Sequence, residues 1–420
     1  MATLNRQAED AGHARYTYRL RVSSGARTGL EAEWARCRWV WNECVAMSRK
    51  VYGLNKTAVE KVTCGPAQLD RMLTGARTVM AWLRAGSSVP QQQIIRDFGK
   101  SRAKALKDVK AGLPMRQRAG MPGIKRKRDA LPSMNYTRRG FWLKDGRLHL
   151  AGGIALTVVW SRALPTDPTS VRVYRDSLGH WYASFVVAAI LEPLPATGRV
   201  IGIDWGVKET ATTTSDAHDL PHAQHGKTAV RKLTRYQKRM ARRKPARGKA
   251  ASKGYRAASR AAAKVHKKVA RQRQDTARMG SPLLGACRRA WGRAKAVVRD
   301  FDQLAVEDFK PKFLAKSTMA RKAADAAIGA TKAALTEMAR KHGRIVHLVH
   351  PAHTTMDCAQ CGARTKHALP LSERTYACTA CGAASPRDKN SARVMLARAG
   401  LNPAGADGGR PAGAPLPQAA

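Results

Sequence analysis

Apolar positions change period several times along the chain, and each change predicts an element. Residues 15–22 alternate polar and apolar, the pattern of a half-buried strand. Leu30, Trp34, Cys37, Trp41, Cys44 and Val45 then recur at helical spacing and predict an amphipathic helix over 29–51. A second helical region covers about 66–85. A third opens at Ser88-Val89-Pro90, with proline where a helix tolerates it, and runs to about Lys110 on an apolar stripe of Ile94, Ile95, Phe98 and Ala105. Short strand-like runs follow at 141–144, 147–151, 154–160, 170–176 and 180–188, punctuated by Gly, Asp and Pro as in an antiparallel barrel or sandwich. Pro193, Pro195 and Gly198 mark a boundary.

Beyond that boundary the pattern changes. Val200-Ile201-Gly202-Ile203-Asp204 is a buried-type strand ending in an acid, with 210–214 as its hairpin partner. Residues 228–299 read as helix, Gln303–Glu307 as another strand ending in an acid, 318–342 as an Ala-rich helix, 345–349 as a strand and 387–399 as a last helix. Strand, hairpin, helix, strand, helix, strand, helix is the order an RNase H-like fold requires. The chain therefore predicts an α+β, multidomain architecture.

Charge adds a partner. The 420 residues carry 77 Lys and Arg against 29 acids, a formal charge of +48, which would strain a compact fold unless a polyanion neutralised it. The 228–299 segment holds about two dozen of these cations and almost no acids, so intrahelical ion pairs do not account for them, whereas a phosphate backbone does. Arg239, Arg242, Arg243, Lys267, Lys268 and Arg271 are the contacts expected there. A second basic patch runs through the loop Lys125-Arg126-Lys127-Arg128, with Tyr136, Arg138 and Arg139 after it. No apolar run approaches a membrane span, and the polar N-terminus has no secretory pattern, so a cytoplasmic location is expected, which the resemblance given below narrows to the prokaryotic cytosol or nucleoid.

Two groups of residues carry candidate chemistry. Asp204, Glu307 and Asp388 stand at two strand ends and a helix start. Taken singly each is an ordinary turn, strand-terminus or dipole-complementing acid. In this order, on these element types, they converge at one sheet edge. Hard divalent cations need carboxylate oxygens, and two such ions clamp the attacking and leaving oxygens of a phosphodiester displacement. Two Mg²⁺ ions held by Asp204, Glu307 and Asp388 are the expected cofactors. The other group is Cys358-x2-Cys361, sixteen residues, then Cys378-x2-Cys381, the spacing of a four-thiolate zinc site. Four protein ligands leave no open position, so one Zn²⁺ there would be structural, and the nearby His353 and His367 are not needed as ligands. Cys37, Cys44, Cys64 and Cys287 are scattered and read as small buried hydrophobes.

These residues resemble TnpB, the transposon-encoded RNA-guided nucleases, and the compact type V CRISPR effectors related to them. Ile201-Gly202-Ile203-Asp204-Trp205-Gly206-Val207-Lys208 is similar to the first RuvC motif of that family, Ala305-Val306-Glu307-Asp308-Phe309 to the second, and Arg387-Asp388-Lys389-Asn390-Ser391-Ala392-Arg393 to the third. Thr354-Thr355 with the two Cys pairs resembles its zinc ribbon, and Trp39-Val40-Trp41-Asn42 and Gly120-Met121-Pro122 are similar to looser features. Trp205 stands where the family usually has Leu, and Pro386 where it often has an acid. The resemblance is specific in the C-terminal half and loose from about 50 to 120.

The resemblance implies a wedge β-barrel (1–28 and 120–197) with a helical recognition insertion (29–119). A RuvC-like nuclease follows (198–352, basic helical insertion about 228–299), then a zinc-ribbon element binding target nucleic acid (353–384), the last RuvC helix (385–400) and a disordered tail (401–420). It implies a guide RNA, a double-stranded DNA target read as an RNA–DNA heteroduplex beside a short flanking motif, and one or two copies of the chain per RNA. The activity implied is RNA-guided, Mg-dependent DNA cleavage at a single RuvC site. An RNA-guided DNA-binding repressor without cleavage and an RNA-independent transposase are the competing readings.

Overall fold

The alternation at the start of the chain becomes strand β1 (His13–Arg21), whose inward residues Tyr18 and Leu20 are buried. The computed structural model describes residues 12–401 apart from 128, 207, 247, 280–292, 310–316, 318, 368 and 371. Arg128, Cys287 and the tail 402–420 lie outside the described residues. The chain forms two units, Met1–Ala189 and Ile190–Ala420.

In the first unit β1 leads into a long helix, α1 (Ser24–Thr57), N-capped by the Ser23 hydroxyl. Two shorter helices follow, α2 (Pro66–Val79) and α3 (Ala81–Arg84), then α4 (Ser88–Lys110). The helix expected over 29–51 is thus longer, and the one expected over 66–85 is divided at Met80, which is extended. Strands β2 (Ser133–Thr137), β3 (Phe141–Lys144), β4 (Arg147–Leu150), β5 (Ile154–Val159), β6 (Ser170–Arg175) and β7 (Trp181–Ala188) join β1 in one antiparallel sheet, ordered β2-β6-β7-β1-β5-β4-β3. Its inner face (Tyr18, Leu148, Leu156, Val173, Phe185) shares a core with Leu30, Trp34, Cys37 and Trp41 of α1 and Ile95 and Phe98 of α4. Cys37, Cys44 and Cys64 are buried, as expected for small hydrophobes.

In the second unit β8 (Val200–Trp205) pairs antiparallel with β9 (Glu209–Thr213), which carries the two-residue β10 (Leu220–Pro221). β11 (Gln303–Glu307) lies parallel to β8 and to β12 (Ile345–Val349), completing a five-stranded sheet of order β10-β9-β8-β11-β12. Between β10 and β11 come α5 (His225–Arg242), α6 (Lys253–Met279) and α7 (Arg293–Asp300). Between β11 and β12 come α8 (Ala320–Ala326) and α9 (Ile328–Lys341). The single Ala-rich helix expected over 318–342 is broken there, because Ala327 takes a left-handed conformation at φ 53°. β13 (Thr375–Ala377) and β14 (Ala384–Pro386) form a small ribbon, and α10 (Arg387–Arg398) closes the unit. The expected boundary near Pro193–Gly198 falls slightly late. Glu192 and Leu194 donate backbone hydrogen bonds to Lys341 and His342, which ties that stretch to the second unit.

Candidate active site and zinc ribbon

Asp204 projects from the penultimate residue of β8, and Glu307 ends the adjacent parallel strand β11. Both are buried, at 9% and 6% exposure. Glu307 is held at two points: the Trp205 backbone N–H donates to its carboxylate at 3.3 Å, and the Trp205 indole N–H donates to its carbonyl at 3.0 Å. Asp388 enters from the first turn of α10, where an acid also suits the helix dipole. The Asp204 carboxyl feels the charges of both other acids. Burial, then the charges of Glu307 and Asp388, push the Asp204 carboxyl well above its ordinary range, against the opposing pull of Arg387. Burial also raises Glu307 to about 7, partly offset by the Trp205 N–H and Lys332. A cation bound beside Asp204 and Glu307 would oppose both upward shifts.

One glycine makes this approach possible. A Cβ on Gly202 would lie 2.0 Å from the Ala392 carbonyl oxygen, so α10 packs on the bare backbone of β8 two residues before Asp204. Lys389 fixes the same end of α10 to β9: its ammonium donates to the Thr213 carbonyl (2.8 Å) and to Asp219 (2.7 Å) and pairs with Asp216 at 2.6 Å.

The four cysteines form a tighter group. Cys358 Sγ lies 3.8 Å from Cys381 Sγ, Cys361 Sγ lies 3.6 Å from Cys378 Sγ, and all four sulfurs fall within 4.8 Å of one another. Tetrahedral zinc at about 2.3 Å from each sulfur needs sulfurs roughly 3.8 Å apart, so the donor set fits the ion. The two knuckles repeat one backbone pattern. Gly362 and Gly382, at φ 77° and 72°, donate to the Cys358 and Cys378 carbonyls, while those cysteine N–H groups donate to Ala363 and Ala383. Burial pushes the Cys361 thiol up to about 12 and raises Cys358, while Cys378, also raised by burial, is brought down to about 7 by backbone N–H groups of Cys381 and Ala380 and by neighbouring thiols.

The ribbon and the helix carrying Asp388 are joined by side chains whose roles the sequence did not disclose. Asn390 accepts from Ala359 N–H inside the first knuckle (3.0 Å) and donates to the Asp357 carbonyl (2.7 Å). The Asp357 carboxylate is shared between Arg364 of the ribbon and Arg398 at the far end of α10. Arg387 donates to the Pro370 carbonyl at 2.8 Å. Asn390 is visible in the sequence only as part of a motif, because its partners are backbone groups thirty residues away.

The expected nucleic-acid contacts fare unequally. Arg126, Lys127, Arg138, Arg139, Arg239, Arg242, Arg243, Lys268 and Arg271 are exposed, and Lys267 is half-buried. Lys125 sits with its ammonium 3.9 Å from the Trp41 ring centre, while its backbone exchanges hydrogen bonds with Asn42, so this residue pins the basic loop to α1. Tyr136 must be withdrawn as a surface contact. It lies on the inward face of β2, a strand that the sequence pattern does not predict, and is 0% exposed. The α5–α6 pair is anchored by Asp325 of α8, which no sequence pattern singles out. Its carboxylate accepts from the Gly226 and Lys227 N–H groups and from Arg273.

Residues 329–395 match the model described as "Cas12f1-like, TNB domain", and residues 170–281 match that described as "Probable transposase". A relative from Streptomyces pristinaespiralis, "Putative RNA-guided DNA endonuclease", is 30% identical over 337 residues, covering 79% of this chain and 76% of the relative. Among solved structures, a Cas12f1–sgRNA–target DNA complex aligns over 88% of this chain and 82% of its own at 14% identity and TM-score 0.48. The mini-RNA-guided endonuclease CRISPR-Cas_phi3 aligns over 93% of both chains at 8% identity and TM-score 0.36. The chain belongs to the TnpB-like family of RNA-guided DNA endonucleases.

Proposed function

We propose that this protein cleaves DNA under RNA guidance through a single divalent-metal site built from Asp204, Glu307 and Asp388. The observation that carries this reading is placement: Asp204 near the end of β8 and Glu307 at the end of the adjacent β11 are both buried, and Asp388 stands in the first turn of α10, which packs on β8 at Gly202. Magnesium ions bound there would activate a water for attack on the phosphodiester and stabilise the leaving oxygen. The chain's own residues prepare for that. Trp205 fixes the Glu307 carboxylate, Gly202 lets Asp388 approach Asp204, and Asn390 and Lys389 hold the start of α10. The Cys358, Cys361, Cys378 and Cys381 thiolates would hold one zinc whose role is to rigidify the ribbon. The exposed cations of α5 and α6 supply a surface for the guide RNA and the heteroduplex.

The test is to purify the protein with co-expressed RNA from its own locus and offer DNA matching that RNA. Cutting that needs magnesium and disappears after RNase treatment supports the reading. Tight guided binding with uncut DNA would identify a repressor instead, and strand joining without RNA a transposase.

A further inference from the structure

The β3–β4 hairpin presents an arrangement that no step above uses. Its strands meet in a two-residue Asp145-Gly146 turn with φ 50° and 70°, the left-handed pair that matches strand twist and makes a rigid hairpin. The register places Trp142 opposite His149 and Lys144 opposite Arg147. Residues two apart share a face, so this face carries an aromatic row and, one step along, a cationic row. Trp142 and His149 stack with centroids 5.6 Å apart and planes 8° apart. Trp142 is 50% exposed, and β3 is the edge strand of its sheet among the described residues.

The cationic row is the second observation. Like charges directly opposite on paired strands repel. Lys144 and Arg147 are both exposed, and neither is ion-paired among the described residues. Arg138 and Arg139, exposed just before β3, add to the field, while Asp145 at the turn is the one acid of the hairpin. An open-ended aromatic stack beside an unrelieved cation pair is what a single nucleotide complements. Its base can continue the stack, and its phosphate can bridge the two cations.

We propose that the β3–β4 hairpin is a binding site for an unpaired nucleotide of single-stranded nucleic acid, with the base stacked on Trp142 and the phosphate held by Lys144 and Arg147. A base inside a duplex has no free face to offer, so the site selects unpaired positions. The inference is independent of the carboxylate centre and survives if that centre proves inactive.

Photocrosslinking tests it. Full-length protein is irradiated with short oligonucleotides carrying one 5-iodouracil, in RNA and DNA versions, and crosslinked peptides are located by mass spectrometry. Crosslinks are expected within residues 141–150, lost in Trp142→Ala and kept in Trp142→Phe, which preserves a stacking face. In parallel, Trp142→Ala should weaken binding of an oligouridylate by roughly tenfold while leaving its abasic counterpart unchanged. The RNA and DNA arms identify which strand the site prefers. Absence of hairpin crosslinks in the wild-type protein, or equal weakening of the abasic and base-bearing probes, would overturn the proposal.

Discussion

At the scale of single residues, Glu307 and Asn390 give the sharpest expectations. The Glu307 carboxyl is raised to about 7 mainly by burial, so the folded protein holds that proton more tightly than the unfolded chain does. Stability from this group is therefore full below the unfolded value of 4.5 and is lost as pH rises toward 7. In magnesium-free buffer the wild type should lose about 3 kcal/mol more than Glu307→Gln across that window, measured by denaturant melts at several pH values. Equal pH slopes for the two proteins would contradict the burial argument. Asn390 touches no reacting atom in this account and acts through α10. Asn390→Ala should lower magnesium affinity or activity by about 10- to 100-fold, the usual cost of removing a group that orients a metal ligand, with zinc content unchanged. Asn390→Asp keeps the acceptor for Ala359 N–H but loses the donor to Asp357, and should fall between the two.

At the scale of elements, the apolar pattern discloses most of what forms locally. The β3 to β7 strands, the helices opening at Ser88 and Arg387, and the two acidic strand ends stand where periodicity puts them. What it misses depends on partners distant in sequence or on single backbone angles. β2 has only five residues beside a run of cations and is defined by pairing with β6 about forty positions later, so Tyr136 looks like a surface residue until that pairing is known. The break at Ala327 is a left-handed angle in an alanine-rich stretch, which composition cannot reveal. The role of Gly202 is equally hidden until α10 is seen lying on β8. Gly202→Ala should cost about 1–3 kcal/mol by forcing the strand and the helix apart, and should reduce cleavage more than it reduces RNA binding. Thermal melts alongside both assays check this. An alanine variant with wild-type stability would refute the close-packing argument. Zinc should matter through the same helix. Removing it with a chelator selective over magnesium should loosen the ribbon, release Asn390 and depress cleavage, and excess magnesium should not restore the rate.

At the scale of the whole molecule, the excess of cations is the dominant fact, and it is fully legible in the sequence: 77 bases against 29 acids leave no internal partner for most of them. Binding of RNA should therefore weaken steeply with salt. Neutralising Arg239, Arg242 and Arg243 together should lower the slope of log affinity against log salt by up to about 2, at roughly 0.7 for each single-strand phosphate that a cation no longer neutralises. An unchanged slope would remove α5 from the binding surface. The candidate centre is legible as three acids in order, but the influence of Glu307 and Asp388 on the Asp204 carboxyl arises only in the folded second unit. The most direct test of the account is the rate of RNA-guided DNA cleavage in magnesium by the wild type and by Asp204→Ala, Glu307→Ala and Asp388→Ala. The account predicts that each variant folds, binds guide RNA as the wild type does and fails to cut, and that pairing two substitutions adds nothing further. Wild-type cutting by any one of the three would contradict it.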